Sequence, residues 1–271
     1  MKNGILRSVA LGAAAVVLTG LCSACSVDIA PLFFEYEDAD KYQTGNFTYA
    51  AADVTEIEID WMAGAINVVQ VDAETLSVSE KNLAKVEEAR LHYYLDDSVL
   101  RIKFCESSFK GTIHERDKNL TVEIPAGVYL DIDTVSSPVE MGDVRLSGLS
   151  VSNVSGKVEI GALQANTVNI EMVSGNIVTG DISATALNIE SVSGNIETSI
   201  VSAMTADIEN TSGNVTVELK ENLGTTLKLS MVSGRLSTDL EYTQSGSRFL
   251  FYGGGSNNVR VDLISGNLTV K

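Results

Sequence analysis

Residues 173–191 read VSGNIVTGDISATALNIES, residues 192–210 read VSGNIETSIVSAMTADIEN, and residues 211–220 begin the phrase again as TSGNVTVELK. A phrase that returns every 19 residues marks a structural unit, because catalysis gains nothing from recurrence at a fixed spacing. Periods near 20 residues belong to solenoids, whose units bury a common core only by stacking on one another.

With Val173 as position 1, the pattern extends in both directions. Position 5 is Ile66, Val139, Val158, Ile177, Ile196, Val215, Leu236 and Leu268. Position 17 is Ile59, Ile132, Val151, Ile170, Ile189, Ile208, Leu229 and Val261, and position 15 is apolar throughout, from Ile57 to Val259. Positions 15 and 17, and 5 and 7, are two apart, which is strand alternation with one face inward. By the same spacing Leu76 and Val78 fall on positions 15 and 17, and Leu120 and Val122 on positions 5 and 7. Position 3 is glycine in Gly64, Gly156, Gly175, Gly194, Gly213, Gly234 and Gly266, with Ser137 the exception. Glycine between two strands predicts a tight corner that a Cβ would obstruct. Stacked about 4.8 Å apart, the units predict a side-chain amide ladder through Asn176, Asn195, Asn214 and Asn267. No aromatic residue occurs between Leu130 and Glu241, consistent with a slender core of Val and Ile. The pattern therefore predicts an all-β solenoid of coils of about 19 residues. A β-sandwich also has short, evenly spaced strands, but it has no reason to repeat its corner glycine.

Two stretches break the rhythm. Residues 79–119 carry EKNLAKVEEAR, read as a short helix, and RLHYYLDDSVLRIKF, read as a hairpin turning at Asp96-Asp97-Ser98. Residues 242–258 carry GSRFLFYGGGSN. Phe and Tyr gather here and in the lead segment 33–49, where they cap the solenoid or form a binding surface.

Residues 1–24 form a lipoprotein-type signal peptide: Lys2 and Arg7, an apolar run, then small residues at a cleavage site. Residues 21–25, LCSAC, resemble a bacterial lipobox with Cys25 as the lipid-bearing residue. Residues 25–48 then read as tether and lead segment, and 49–271 as the solenoid domain. The whole chain carries a net charge of −17; without Lys2 and Arg7 it is −19, from 17 basic and 36 acidic residues. Such a surface repels nucleic acid. Cys105 then has no intramolecular partner, which predicts a buried thiol and no disulfide framework.

The two histidines, His92 and His114, have no nucleophile at a recognisable spacing, and no metal, nucleotide or hydrolase motif is present. Gly253-Gly254-Gly255 opens no helix, which argues against a phosphate cradle. The chemistry-bearing column is position 18: Asp60, Asp133, Ser152, Glu171, Glu190, Glu209, Ser230 and Asp262. Glu171, Glu190 and Glu209 fall on consecutive units. They are either carboxylates splayed into water or a cation-binding strip. No other cofactor is called for.

The segments YQTG (42–45), IEIDWMAGAINVV, LTVEIPAGVYLDIDTVSSPVEMGD, the VSGNI units and FYGGGSNNVRVDLISGNLTVK resemble a bacterial β-strand-repeat family of candidate adhesins, a domain-of-unknown-function family of the head-GIN type. The resemblance runs from Tyr42 to Lys271. It implies a right-handed β-solenoid on an exported or membrane-attached bacterial protein, and it carries no catalytic or binding residues. At Ser136-Ser137-Pro138 the chain departs from the family's Ser-Gly corner. The reading that follows is a lipid-anchored, extracytoplasmic solenoid with a structural, adhesive or partner-binding role and no enzymatic one. Its partner is an envelope protein or surface ligand. The alternatives are a sensory or accessory module in envelope stress and, more remotely, a polysaccharide-active β-helix enzyme.

Overall fold

In the strand Glu56–Trp61, EIEIDW, every second side chain is apolar. The strand buries Ile57, Ile59 and Trp61 and turns Glu56, Glu58 and Asp60 outward. This alternation recurs along the chain and builds one curled, mainly parallel, solenoid-like sheet. The computed structural model describes residues 35–271 apart from 82–83, 112, 114–117, 221–224, 240, 246–247 and 253–256.

The repeat positions stack as columns. Gly148–Ile160 pairs in parallel with Leu163–Ser193, setting Leu149 beside Val168, Val151 beside Ile170 and Val158 beside Ile177. Ile177 pairs with Ile196, Leu187 with Ala206 and Ile189 with Ile208, and Ile196 pairs with Val215. Ile170, Ile189 and Ile208 have no solvent exposure. A buried side chain of this kind stabilises by about 1.5–3 kcal/mol. The core also holds a polar rung, where the Thr179 hydroxyl donates to Thr198 Oγ1 at 2.8 Å.

Spatial order departs from chain order at both ends. Glu56–Trp61 lies between Val99–Lys103 and Tyr129–Thr134, parallel to both. Asn257–Ser265 lies between Ile196–Ser212 and Thr225–Ser233, again parallel to both. The first and last coils in sequence are thus each inserted one rung inside the stack. Antiparallel strands cover the exposed rungs: His92–Asp96 on Val99–Lys103 and Arg248–Tyr252 on Thr225–Ser233. Such covers keep open ladder edges from pairing with other chains.

Three expectations are corrected here. Thr75–Glu80 runs antiparallel to Phe47–Ala50 and Leu120–Ile124, so Leu76 and Val78 are not in columns 15 and 17. Leu100 and Ile102 hold those places beside Ile57 and Ile59. A rung therefore runs through the stretch 79–119. The helix expected in EKNLAKVEEAR is a single 3-10 turn, Glu87–Ala89. The hairpin is as expected, with Asp97 at φ 54° in its turn. Leu120 does stand beside Ile66.

The corner glycines form a close-packed stack. Gly156, Gly175, Gly194, Gly213, Gly266 and Gly234 all have φ between 127° and 143°. A Cβ on Gly194 would lie 1.6 Å from the Gly175 carbonyl oxygen, and one on Gly234 would lie 1.6 Å from that of Gly266. The asparagine ladder runs beside them. Asn176 Oδ1 accepts the Asn195 backbone N–H at 3.1 Å, Asn195 Oδ1 that of Asn214 at 3.0 Å, and Asn214 Oδ1 that of Asn267 at 3.1 Å.

Candidate functional site

The corner sequence Glu-Met-Val-Ser-Gly alternates: position 17 faces in, 18 out, 19 in and 1 out. Successive rungs therefore raise two outward columns side by side. Glu171, Glu190, Glu209 and Asp262 form one wall of a shallow groove, and Val173, Val192, Thr211, Ile264 and Val232 form the other. The register makes the walls continuous: Glu190 sits beside Glu209, Glu209 beside Asp262, and Asp262 beside Ser230. Val192, Ile264 and Val232 are 52%, 54% and 75% exposed.

The carboxylates are only partly occupied by the protein itself. Asn169 and Asn188 each donate a 3.0 Å hydrogen bond to the carboxylate two residues on, Glu171 and Glu190. Arg260 reaches Asp262 and lies 3.8 Å from Glu209 and 3.7 Å from Asp207. Among the described residues, no group of three or more His, Cys, Asp or Glu side chains is placed to hold a metal ion. Ser191 lies between Glu190 and Val192, is 5% exposed, and its hydroxyl has no hydrogen-bond partner.

Sequence reasoning found the acidic column but missed the aliphatic one, although position 1 alternates outward by the same rule. It also missed a closed ionic cage near the first coils. Lys118, with no solvent exposure, donates to the carbonyl oxygens of Phe104 at 2.6 Å and Ala89 at 3.0 Å. Its ammonium lies 4.8 Å from the centre of the Trp61 ring and 4.5 Å from that of Phe104. Glu80 Oε1 is 2.8 Å away, a close ion pair without hydrogen-bond alignment. Glu80 Oε2 accepts the Leu91 N–H at 2.8 Å. Burial pulls the Lys118 ammonium below the usual lysine range, against the pull of Glu80. Cut off from solvent, this cage ties Lys118 to Glu80 at the end of the strand Thr75–Glu80.

The remaining sequence candidates take other places. Cys105 is a buried free thiol, and burial pushes its pKa up to about 12. His92 is buried, with Nδ1 3.0 Å from the Arg90 carbonyl oxygen. His114, Gly253-Gly254-Gly255, the signal segment and Cys25 lie outside the described residues. The aromatic residues of the lead segment pack on the hairpin: Phe47 stacks on Tyr93 at 3.8 Å, and Tyr42 meets Tyr94 at 5.5 Å. Among the described residues no helix is long and apolar enough to cross a membrane.

A protein-family model described as Toastrack DUF4097 matches residues 54–245. The chain is similar to a candidate cell adhesion protein of Clostridium sporogenes, at 14% identity and TM-score 0.40, over 84% of this chain and 99% of that one. It is also similar to a candidate adhesin of Bacteroides fragilis, at 14% identity and TM-score 0.47, over 85% and 97% of the two chains. Among curated proteins none matches.

Proposed function

The chain belongs to the Toastrack DUF4097 family, and on that premise we propose that it is an exported, lipid-anchored protein. In this reading a right-handed solenoid of coils of about 19 residues presents a binding surface to an envelope partner, without enzymatic chemistry. Right-handedness is the hand that parallel crossover connections favour. The observation that carries the reading is the groove: a column of four aliphatic side chains and Thr211 along five rungs, three of them exposed valine or isoleucine, beside a carboxylate column. Stability is served by neither, since exposed valines lose burial and stacked carboxylates repel. A surface kept at that cost is one that another molecule covers.

The anchor rests on Cys25 and its lipobox-like setting. Loss of the acyl-bearing residue removes the hydrophobic chains that hold such a protein at a bilayer. Cells fed a fatty-acid analogue should label wild type and not C25A, and C25A should leave the membrane fraction. Membrane retention of unlabelled C25A would contradict the anchor. For the surface, a photo-crosslinking amino acid at Val192 should trap a partner in intact cells, whereas one at the exposed Thr185, away from the groove, should not. Equal capture from both positions would remove the groove from the proposal.

A further inference from the structure

We infer that the groove receives a basic amphipathic α-helix of a partner protein, lying along the solenoid axis at about one helical turn per rung. The inference rests on the proposed partner-binding role and names the partner's chemistry. Three of the five exposed large hydrophobic side chains among the described residues, Val192, Ile264 and Val232, stand on one wall of this groove. The opposite wall carries four carboxylates against the single guanidinium of Arg260. An occupant complementary to both walls needs an apolar stripe flanked by a cationic one.

Spacing selects the helix. Like side chains on the groove walls recur about every 4.8 Å, the separation of paired strands. Side chains on one face of a helix recur about every 5.4 Å, a mismatch of about 0.6 Å per rung that adds up to only about 2.4 Å over the four steps of the groove. Side chains on one face of an extended strand recur about every 6.8 Å and fall out of step with the walls within two rungs. The five rungs from Val173 to Val232 span about 19 Å, the length of a helix of about 13 residues.

The test uses two labelled 14-residue peptides of identical leucine and lysine content, one patterned at the helical period and the other alternating. Fluorescence anisotropy is read with the full-length protein. The helical-period peptide should bind at least about tenfold more tightly, weaken as salt rises, and gain helical circular dichroism on binding. V192S/V232S and E190Q/E209Q, both surface changes, should each weaken it at least about tenfold while the protein's melting curve stays cooperative. Equal affinity for the two peptides, or insensitivity to V192S/V232S, overturns the inference. So does sedimentation showing a dimer that V192S/V232S abolishes, since the occupant is then a second copy. Crosslinking from Val192 in cells, with no preference between the peptides, would leave the partner surface standing and remove the helix.

Discussion

Three glycine-to-alanine changes separate two forces that act at the corners. At Gly194 the backbone has φ 135° and an added Cβ would lie 1.6 Å from the Gly175 carbonyl oxygen, where real contacts stay above 3.0 Å. Relief needs a shift of about 1.4 Å between rungs only about 4.8 Å apart. That shift disturbs rung-to-rung bonds such as Gly194 N–H to the Ser212 carbonyl at 2.9 Å. Backbone strain of about 1–3 kcal/mol and one or two impaired buried hydrogen bonds at about 1 kcal/mol each give a loss of about 2–5 kcal/mol. Gly127 has φ 90° but open space around its Cβ position, so Gly127→Ala should cost the conformational part alone, about 1–2 kcal/mol. Gly142 has neither a positive φ nor a neighbour within 4 Å; Gly142→Ala should stabilise by about 0.4–1 kcal/mol through the unfolded chain. Urea midpoints by far-ultraviolet circular dichroism rank the three. If Gly194→Ala falls within about 0.5 kcal/mol of Gly127→Ala, the close approach of carbonyl and Cβ is not what holds glycine in the column.

Lys118→Met should cost about 3–5 kcal/mol, because it strands the buried Glu80 carboxylate, and adding Glu80→Gln should recover most of that; equal stability of single and double variants would mean the pair is not coupled. Cys105 has a folded pKa raised to about 12 by burial, above the ordinary value near 8.5. Its contribution is therefore complete below about pH 8.5 and lost as pH climbs toward 12. Cys105→Val should lose less stability than wild type between about pH 9 and 11, and a steeper loss in the variant would contradict the shift. Glu190→Gln should stabilise by a few tenths of a kcal/mol, more at low salt. A wild-type melting temperature that rises with millimolar Ca²⁺, with the rise lost in Glu190→Gln, would instead make the column a cation site.

The interior of each rung was legible because it is written locally. Alternation and the corner glycine fix which side chains of Ile189 or Ile208 face inward, without reference to any other rung. Rung order is not local. Leu236 and Leu268 carry the same column signature, and a parallel stack accepts either as the neighbour of Val215. The chain places Leu268 there and sets Leu236 outside it. The long connection after Thr238 lets it pass one rung and return. Leu76 failed for a related reason: alternation assigns its face but neither its strand direction nor its partner, and Thr75–Glu80 pairs antiparallel. The ionic cage was written in the same register and overlooked. Glu80 follows Leu76 and Val78 on the inward face, Lys118 precedes Leu120 and Val122 on theirs, and the two strands pair with Glu80 opposite Leu120. Opposite charges in the inward register of two strands demand each other, since neither can be buried alone. The groove reverses that logic. Val192 and Val232 stand apolar in the outward register beside carboxylates, with nothing in the described chain to cover them, so what they demand must come from another molecule.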